Sequence, residues 1–212
     1  MLHELFARLK GPMGKWNVTA GRMILPWGLL QSYSADRLLF NTVEERTLGF
    51  ESDDGLMLSG ALGAWEYGLS VTQGYGMRFS GDLSKGLVTG RVGAQLGEFD
   101  DINLGLSVAA GTVLEGGHGA DSMSFTRKKL SAVDLTVNWG RTVSRTEVTA
   151  GMHNDDLLLG LFAAVDFSVL PGLDLNAAAA VTSTGNSIGD FLFGGLTWNT
   201  RWVTLRGGYR YS

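Results

Sequence analysis

The sequence predicts an all-β fold. Large apolar residues recur at every second position over most of the chain, as in Leu159, Leu161, Ala163, Val165 and Phe167. Successive side chains of a strand point to opposite faces, so this spacing indicates strands. The residues between them are small or mildly polar (Gly, Ser, Asn, Thr and Ala), where a soluble sheet would carry Lys and Glu. Strands of about ten residues with one apolar and one mildly polar face are typical of a transmembrane antiparallel β-barrel. A soluble barrel or sandwich with a glycine-rich core is the alternative.

About twelve strands are predicted in chain order, and one short helical candidate lies at 34–40. The chain is expected to form a single β-barrel domain over 1–212, with a long, inward-folded loop at 25–55. The predicted strands cover 4–10, 15–24, 56–63, 66–74, 86–96, 102–113, 130–139, 144–152, 158–169, 173–182, 189–198 and 201–211.

Composition excludes several classes of protein. The chain has 212 residues, 18% of them charged, and no cysteine, which excludes a disulfide scaffold and thiol chemistry. Its net charge of −4 argues against nucleic-acid binding. The longest apolar run, 157–165, is far too short for a transmembrane helix, which needs about 20 residues. The first fifteen residues lack the apolar core of a signal peptide.

The connections are predicted to alternate in length. Those at 11–14, 64–65, 97–101, 141–144, 170–172 and 199–200 are short, and those at 25–55, 75–85, 114–129, 153–157 and 183–188 are longer. Outer-membrane barrels have short periplasmic turns and longer outside loops, which would put the short set in the periplasm. Both ends of twelve strands would then lie outside. Either the long loops face the periplasm, or strands are missing and the chain is part of a 14–16-stranded barrel.

Tryptophan is concentrated beside the short connections. Trp16, Trp65, Trp139, Trp198 and Trp202 lie there, and Trp27 is expected on the other rim. Indole rings collect at membrane interfaces, so this one-sided set predicts an aromatic belt. Simple packing at hairpin ends is the alternative.

The segment 16–50 carries a family resemblance. It has a strand that ends in Gly and Arg, then Pro-Trp-Gly-Leu, then serines, an apolar residue and Glu-Arg. These residues are Gly21, Arg22, Pro26, Trp27, Gly28, Leu29, Ser32, Ser34, Phe40, Glu45 and Arg46. The pattern resembles Gram-negative outer-membrane porins of the phosphate-selective type. The resemblance implies an outer-membrane channel, a long loop that folds inward to narrow the pore, and a homotrimer.

The resemblance makes 25–55 the candidate constriction, and strand alternation supplies a candidate lumen set. The predicted constriction residues are Arg22, Asp36, Arg37, Glu44, Glu45 and Arg46. The predicted lumen residues are Arg91, Asp134, Arg145, Glu147, Asp166, Asp174, Arg206 and Arg210. An anion-selective pore needs a ladder of basic residues at its narrow point, whereas both sets are mixed, so phosphate selectivity is not predicted. Ordinary loop charges and structural ion pairs are the alternative.

No catalytic site, metal site or cofactor is predicted. His3, His118 and His153 lack metal-ligand spacing, and the pairs Asp53-Asp54 and Asp155-Asp156 fall in predicted connections, where Asp is a common turn residue. The predicted function is passive diffusion of small hydrophilic solutes or ions through the bacterial outer membrane. The predicted partners are membrane lipid and these solutes, without nucleic acid. A non-conducting structural or adhesive barrel is the first alternative, and a barrel enzyme is the second.

Overall fold

The described residues of the chain form twelve strands in one antiparallel sheet. The computed structural model describes residues 5–30, 47–76, 78, 85–98, 101–116, 123–199 and 204–211. Within these residues no helix is long and apolar enough to cross a membrane. The strands are β1 Leu5–Lys10, β2 Asn17–Ile24, β3 Ser52–Leu62, β4 Trp65–Thr72, β5 Leu87–Leu96, β6 Ile102–Gly116, β7 Met123–Trp139, β8 Thr142–His153, β9 Asp156–Leu170, β10 Leu173–Thr184, β11 Ser187–Asn199 and β12 Thr204–Tyr211.

Every strand pairs with its neighbours in the sequence, so the sheet runs from β1 to β12 without a crossover. Within the described residues no ladder joins β1 to β12, and the sheet is open between these two strands. The predicted all-β antiparallel fold is confirmed, and the twelve strands of the described residues lie at or near predicted positions. Alternation within a strand is a local signal, which explains why the strand positions could be predicted.

The two faces of the sheet differ in chemistry. On β7, Val133 and Leu135 are exposed, whereas Ala132 and Asp134 are buried. The exposed face is mostly apolar from β3 to β12. The other face, here called the inner face, is buried and carries many polar side chains, including Ser70, Thr89, Ser107, Thr126 and Thr149. An apolar outward face and a polar inward face are what a membrane barrel needs.

The predicted connection 114–129 is wrong in extent. β6 continues to Gly116, and β7 already begins at Met123. The charged run 127–129 resembles a loop in composition, yet its residues pair with residues 110–112 of β6. Backbone pairing across a hairpin accepts charged side chains at the end of a strand, so composition misplaced the boundary.

The last two predicted long connections are two-residue turns. Asn154 and Asp155 join β8 to β9, and Gly185 and Asn186 join β10 to β11. Asn154 has φ 55° and Gly185 has φ 55°, the left-handed conformation that Asn and Gly adopt in tight hairpins. Of the predicted longer connections, those after β2 and β4 remain long.

The tryptophans divide into two environments. Trp16, Trp65, Trp139 and Trp198 are exposed beside short connections, as predicted, and Trp139 is 83% exposed. Trp202 lies outside the described residues. The prediction for Trp27 is wrong, because this residue is 0% exposed and lies in a buried cluster instead of on the opposite rim. The chain turns onto the inner face directly after β2, which carries Trp27 inward.

Candidate functional site

The chain that leaves β2 packs against the inner face of the sheet. Residues 25–30, the entry segment, and residues 47–51, the return segment, are the two described ends of the long connection. Leu25, Trp27 and Leu30 of the entry segment are buried together with Leu48 and Phe50 of the return segment. This cluster also contains Leu87, Ala109, Val113, Leu130, Ala132 and Leu158 from the strands. Both ends of the connection therefore lie on the inner side of the sheet.

Two backbone amides hold the entry segment in place. Gly28 N donates to Ser107 Oγ at 2.9 Å, and Leu29 N donates to Glu147 Oε2 at 3.0 Å. Thr149 Oγ1 donates to the other oxygen, Glu147 Oε1, at 3.0 Å. The Glu147 side chain is fully buried, so these bonds to a carboxylate are made out of water, where they are strongest.

Position 28 requires glycine. Gly28 has φ 47°, which L side chains rarely adopt, and a Cβ built there would collide with the Glu147 carboxylate. The absence of a side chain is what allows the backbone to approach Glu147. The sequence Pro26-Trp27-Gly28 thus allows the backbone of the entry segment to lie close to the sheet.

The Leu29 side chain enters a second, apolar cluster. The partners of Leu29 come from β9, β10 and β11, whose inner face is built of alanine and phenylalanine. They are Phe162, Ala164, Ala178, Ala180, Phe191 and Phe193. The entry segment therefore contacts polar groups through its amides and an apolar surface through its leucine.

The return segment is attached by a buried lysine. Lys128 Nζ donates to the Thr47 carbonyl oxygen and lies 2.5 Å from Glu115 Oε1. The Lys128 side chain is 0% exposed, and His153 Nε2 lies 3.6 Å from Glu115 Oε2. Strand alternation turns Lys128 inward, although its neighbours in the sequence point outward.

Asp53 and Asp54 have separate structural contacts. Asp53 Oδ2 accepts from Gly74 N at 2.6 Å, and Asp53 Oδ1 accepts from Asp54 N at 2.9 Å. Asp54 Oδ2 lies 2.5 Å from Arg22 Nη2. Strand alternation places Arg22 and Asp54 on the face opposite to Met23 and Asp53, at the point where the long connection leaves β2 and enters β3.

Arg91 is the centre of one inner ion network. Its guanidinium contacts Asp134 through Nη2 at 2.7 Å and through Nε at 3.2 Å, and it also contacts Glu66 through Nη1. Arg91 and Asp134 are both buried, whereas Glu66 is partly exposed. A fork-shaped contact of this kind fixes the guanidinium in one orientation.

A second network crosses β8 to β11. Arg145 Nη1 contacts Asp166 Oδ2, and Asn176 Nδ2 donates to Asp166 Oδ1 at 2.7 Å. Thr197 Oγ1 donates to Asn176 Oδ1 at 2.8 Å. Beside it, Ser168 Oγ donates to Asp174 Oδ1 at 2.6 Å.

Most predicted lumen residues therefore belong to the inner face. Arg91, Asp134, Arg145, Glu147, Asp166 and Asp174 take part in the contacts above. The Arg210 guanidinium lies 5.3 Å from the centroid of the Phe191 ring. The Arg206 side chain lies outside the described part of the chain, as do the predicted constriction residues Asp36, Arg37, Glu44, Glu45 and Arg46.

Several residues of this arrangement were not predicted from the sequence, among them Glu66, Ser107, Glu115, Lys128 and Thr149. A signal for Lys128 was present, because Lys128, Leu130, Ala132 and Asp134 alternate on one face of β7. Ser107 and Thr149 carried no signal, because small hydroxyl residues occur throughout the inner face. In the described ranges, no group of three or more His, Asp or Glu residues could hold a metal ion.

Comparison with known proteins identifies the fold of this chain but no family. Neither the protein-family models nor the curated proteins match this chain. The chain is similar to the outer-membrane OmpT of Vibrio cholerae, with a TM-score of 0.72 and 13% identity over 97% of this chain and 68% of OmpT. A loop L8 deletion mutant of that OmpT gives a TM-score of 0.65 and 13% identity, over 92% of this chain and 70% of the mutant. A porin structure refined at 1.8 Å gives a TM-score of 0.61 and 15% identity, over 97% of this chain and 74% of the porin.

These likenesses support an outer-membrane barrel and do not support the phosphate-selective type of porin. The named neighbours are bacterial outer-membrane proteins and a porin, which supports the predicted location in the outer membrane. The chain has the fold of a Gram-negative outer-membrane β-barrel.

Proposed function

We propose that this chain forms a passive diffusion channel for small hydrophilic solutes or ions, with the connection 25–55 as its constriction. The observation that carries the proposal is the pair of amide hydrogen bonds from Gly28 and Leu29 to Ser107 and Glu147. They attach the entry segment of the connection to the inner face. A segment held there narrows whatever space the barrel encloses.

The proposed constriction residues are the charged side chains of this connection. Low-dielectric walls strengthen charge effects at a narrow point, so these side chains would set ion preference. Arg22 lies where the connection leaves β2, and its ion pair with Asp54 is on the outward side of β2 and β3. The other proposed constriction residues are Asp36, Arg37, Glu44, Glu45 and Arg46.

Conductance in a planar bilayer tests the proposal. The full chain, refolded in detergent and inserted in salt, is expected to give discrete current steps. The variant Glu44→Lys/Glu45→Lys should shift ion preference toward anions. A matched variant, Glu98→Lys/Asp155→Lys, changes two exposed turn acids and should leave the preference unchanged. Equal shifts in both variants would contradict a constriction at 25–55.

A non-conducting structural or adhesive barrel is the second candidate. It is favoured by the two buried apolar clusters under the entry segment, in which Trp27 is fully buried. Such clusters can seal a lumen as well as narrow it. A chain that folds and inserts, shown by a heat-dependent shift on a gel, but gives no current steps would support this candidate over the channel.

We also propose that the chain assembles as a homotrimer and has no catalytic activity. The engagement of Asp53 with backbone amides and of Asp54 with Arg22 supports structural roles for these acids. Hydrolysis of ester or peptide substrates that is lost in Asp155→Asn/Asp156→Asn would instead support a barrel enzyme. Mass measurement of the refolded assembly in detergent tests the trimer.

A further inference from the structure

The basic run 127–129 is divided between the two faces of the sheet. Lys128 points inward to Glu115, whereas Arg127 and Lys129 are exposed on the outward face. Phe125, two residues before Arg127 on the same face, is also exposed. Lys85 adds a third cation, with its Nζ 5.3 Å from the centroid of the Phe125 ring. Lys85 thus lies against an outward aromatic ring, and Arg127 and Lys129 follow that ring along the same face of β7.

This basic cluster (Lys85, Arg127 and Lys129) lies at a defined height on the barrel. Lys129 is ten residues from Trp139 along β7, and Trp139 is the exposed indole at the opposite rim. At about 3.4 Å per residue and a tilt of about 40°, this distance is about 26 Å along the membrane normal. The apolar band of an outer-membrane barrel is about 25 Å tall. Lys129 therefore reaches the headgroup level of the leaflet opposite to Trp139.

The surface between these two levels is apolar. Val133 and Leu135 of β7 are exposed, and the residues beside Lys129 in the ladder are Ala110 and Met152. Among the described residues, the Arg127 guanidinium and the Lys129 ammonium form no ion pair. The Arg127 backbone is paired with Asn154, which fixes the position of this strand end.

We propose that the basic cluster binds the phosphate groups of the phosphorylated glycolipid in the outer leaflet. Cations at the edge of an apolar band face lipid headgroups instead of a soluble partner, and charge-assisted hydrogen bonds to phosphate are strong. The binding orients the barrel, with the end that carries the long connection outward. This inference does not depend on the channel function.

A lipid-binding titration tests the inference. The probe is bis-phosphorylated lipid A, added to the full chain refolded in detergent micelles. The test variant is Arg127→Gln/Lys129→Gln, and the matched control is Lys10→Gln/Lys15→Gln, which removes two exposed cations near the opposite rim. Each cation near an anionic lipid surface contributes about 1 kcal/mol, so the test variant should bind about 30-fold more weakly. The control should bind like the unmodified chain.

Three further arms separate the sources of binding. Removal of the phosphates from lipid A should weaken its binding to the unmodified chain. The loss of affinity should be about as large as the loss that the test variant shows toward intact lipid A. Inorganic phosphate and the phosphorylated sugar without acyl chains should bind far more weakly than the intact lipid. The inference would be overturned if both variants lost affinity equally or if the test variant lost none. Tight binding of the dephosphorylated lipid or of the soluble sugar would overturn it as well. A heat-dependent gel shift verifies that both variants fold.

Discussion

The entry segment contacts two parts of the inner face that differ in chemistry, namely the hydrogen-bonding groups of β6 and β8 and the apolar side chains of β9–β11. The first, the polar sector, presents Ser107 and Glu147 beside the apolar side chains that pack on Trp27. The second presents Phe162, Phe191 and several alanines. Hydrogen bonds are directional, whereas apolar contact is not, so the two sectors restrain the segment in different ways.

The comparison shows how one short segment can be held in a barrel interior. The amides of Gly28 and Leu29 set its orientation by bonding to the polar sector, and the Leu29 side chain stabilises it by burial against the apolar sector. Changes in the polar sector should therefore alter the position of the segment. Changes in the apolar sector should mainly lower its stability.

The largest expected effect comes from Trp27→Ala. This substitution leaves a cavity in the cluster shared by both ends of the connection, and such changes cost about 3–5 kcal/mol. Urea unfolding of each variant in lipid vesicles measures its free energy of unfolding. Trp139→Ala, at an exposed indole, is the control and should cost about 0.5 kcal/mol. Similar losses for the two variants would contradict an interior role for Trp27.

Arg91→Met should destabilise the barrel by about 3 kcal/mol, because it leaves the buried Asp134 carboxylate without its partner. The double variant Arg91→Met/Asp134→Leu removes both charges and should recover most of that loss. The same unfolding measurement gives the coupling between the two sites. Additive losses would show that the two side chains do not act as a pair.

Gly28→Ala should cost about 2 kcal/mol, from left-handed strain and from the collision with Glu147. Gly140→Ala separates the two causes, since Gly140 has φ 60° and open space at its Cβ position. The control should cost about 1 kcal/mol, from strain alone. In the bilayer, Gly28→Ala should also broaden the current steps. Equal costs would mean that Glu147 yields to the added methyl group.

Phe191→Leu should have the smallest effect, about 1 kcal/mol, because the apolar sector requires burial and not a directed contact. The current steps should keep their amplitude and width. Changed steps would show that the apolar sector also orients the segment, and the distinction between the two sectors would then fail.

Prediction from sequence succeeded where the signal is local. Alternation in 159–167 or 133–139 requires knowledge of one strand only, and the strand positions follow from it. Prediction failed at hairpin ends, where the charged run 127–129 continues the ladder with β6. Nothing in the composition of a single strand indicates how far its partner extends.

Trp27 and Lys128 show a different limit. An indole and a lysine are both typical of membrane rims, and both were assigned accordingly to a rim or a connection. In the structure both are fully buried, because the entry and return segments pack against the inner face and supply partners for them. Their environment depends on the contact of distant segments.

The amino-acid sequence contains the twelve strands, their antiparallel order, the apolar outward face and the exposed tryptophans beside the short turns, because each follows from spacing within a few residues. The ion networks of Arg91 and Arg145, the depth of Trp27, and the Ser107 hydroxyl and Glu147 carboxylate that hold Gly28 and Leu29 follow from the fold. These contacts join residues far apart in the chain, and they exist once strand register places the partners side by side.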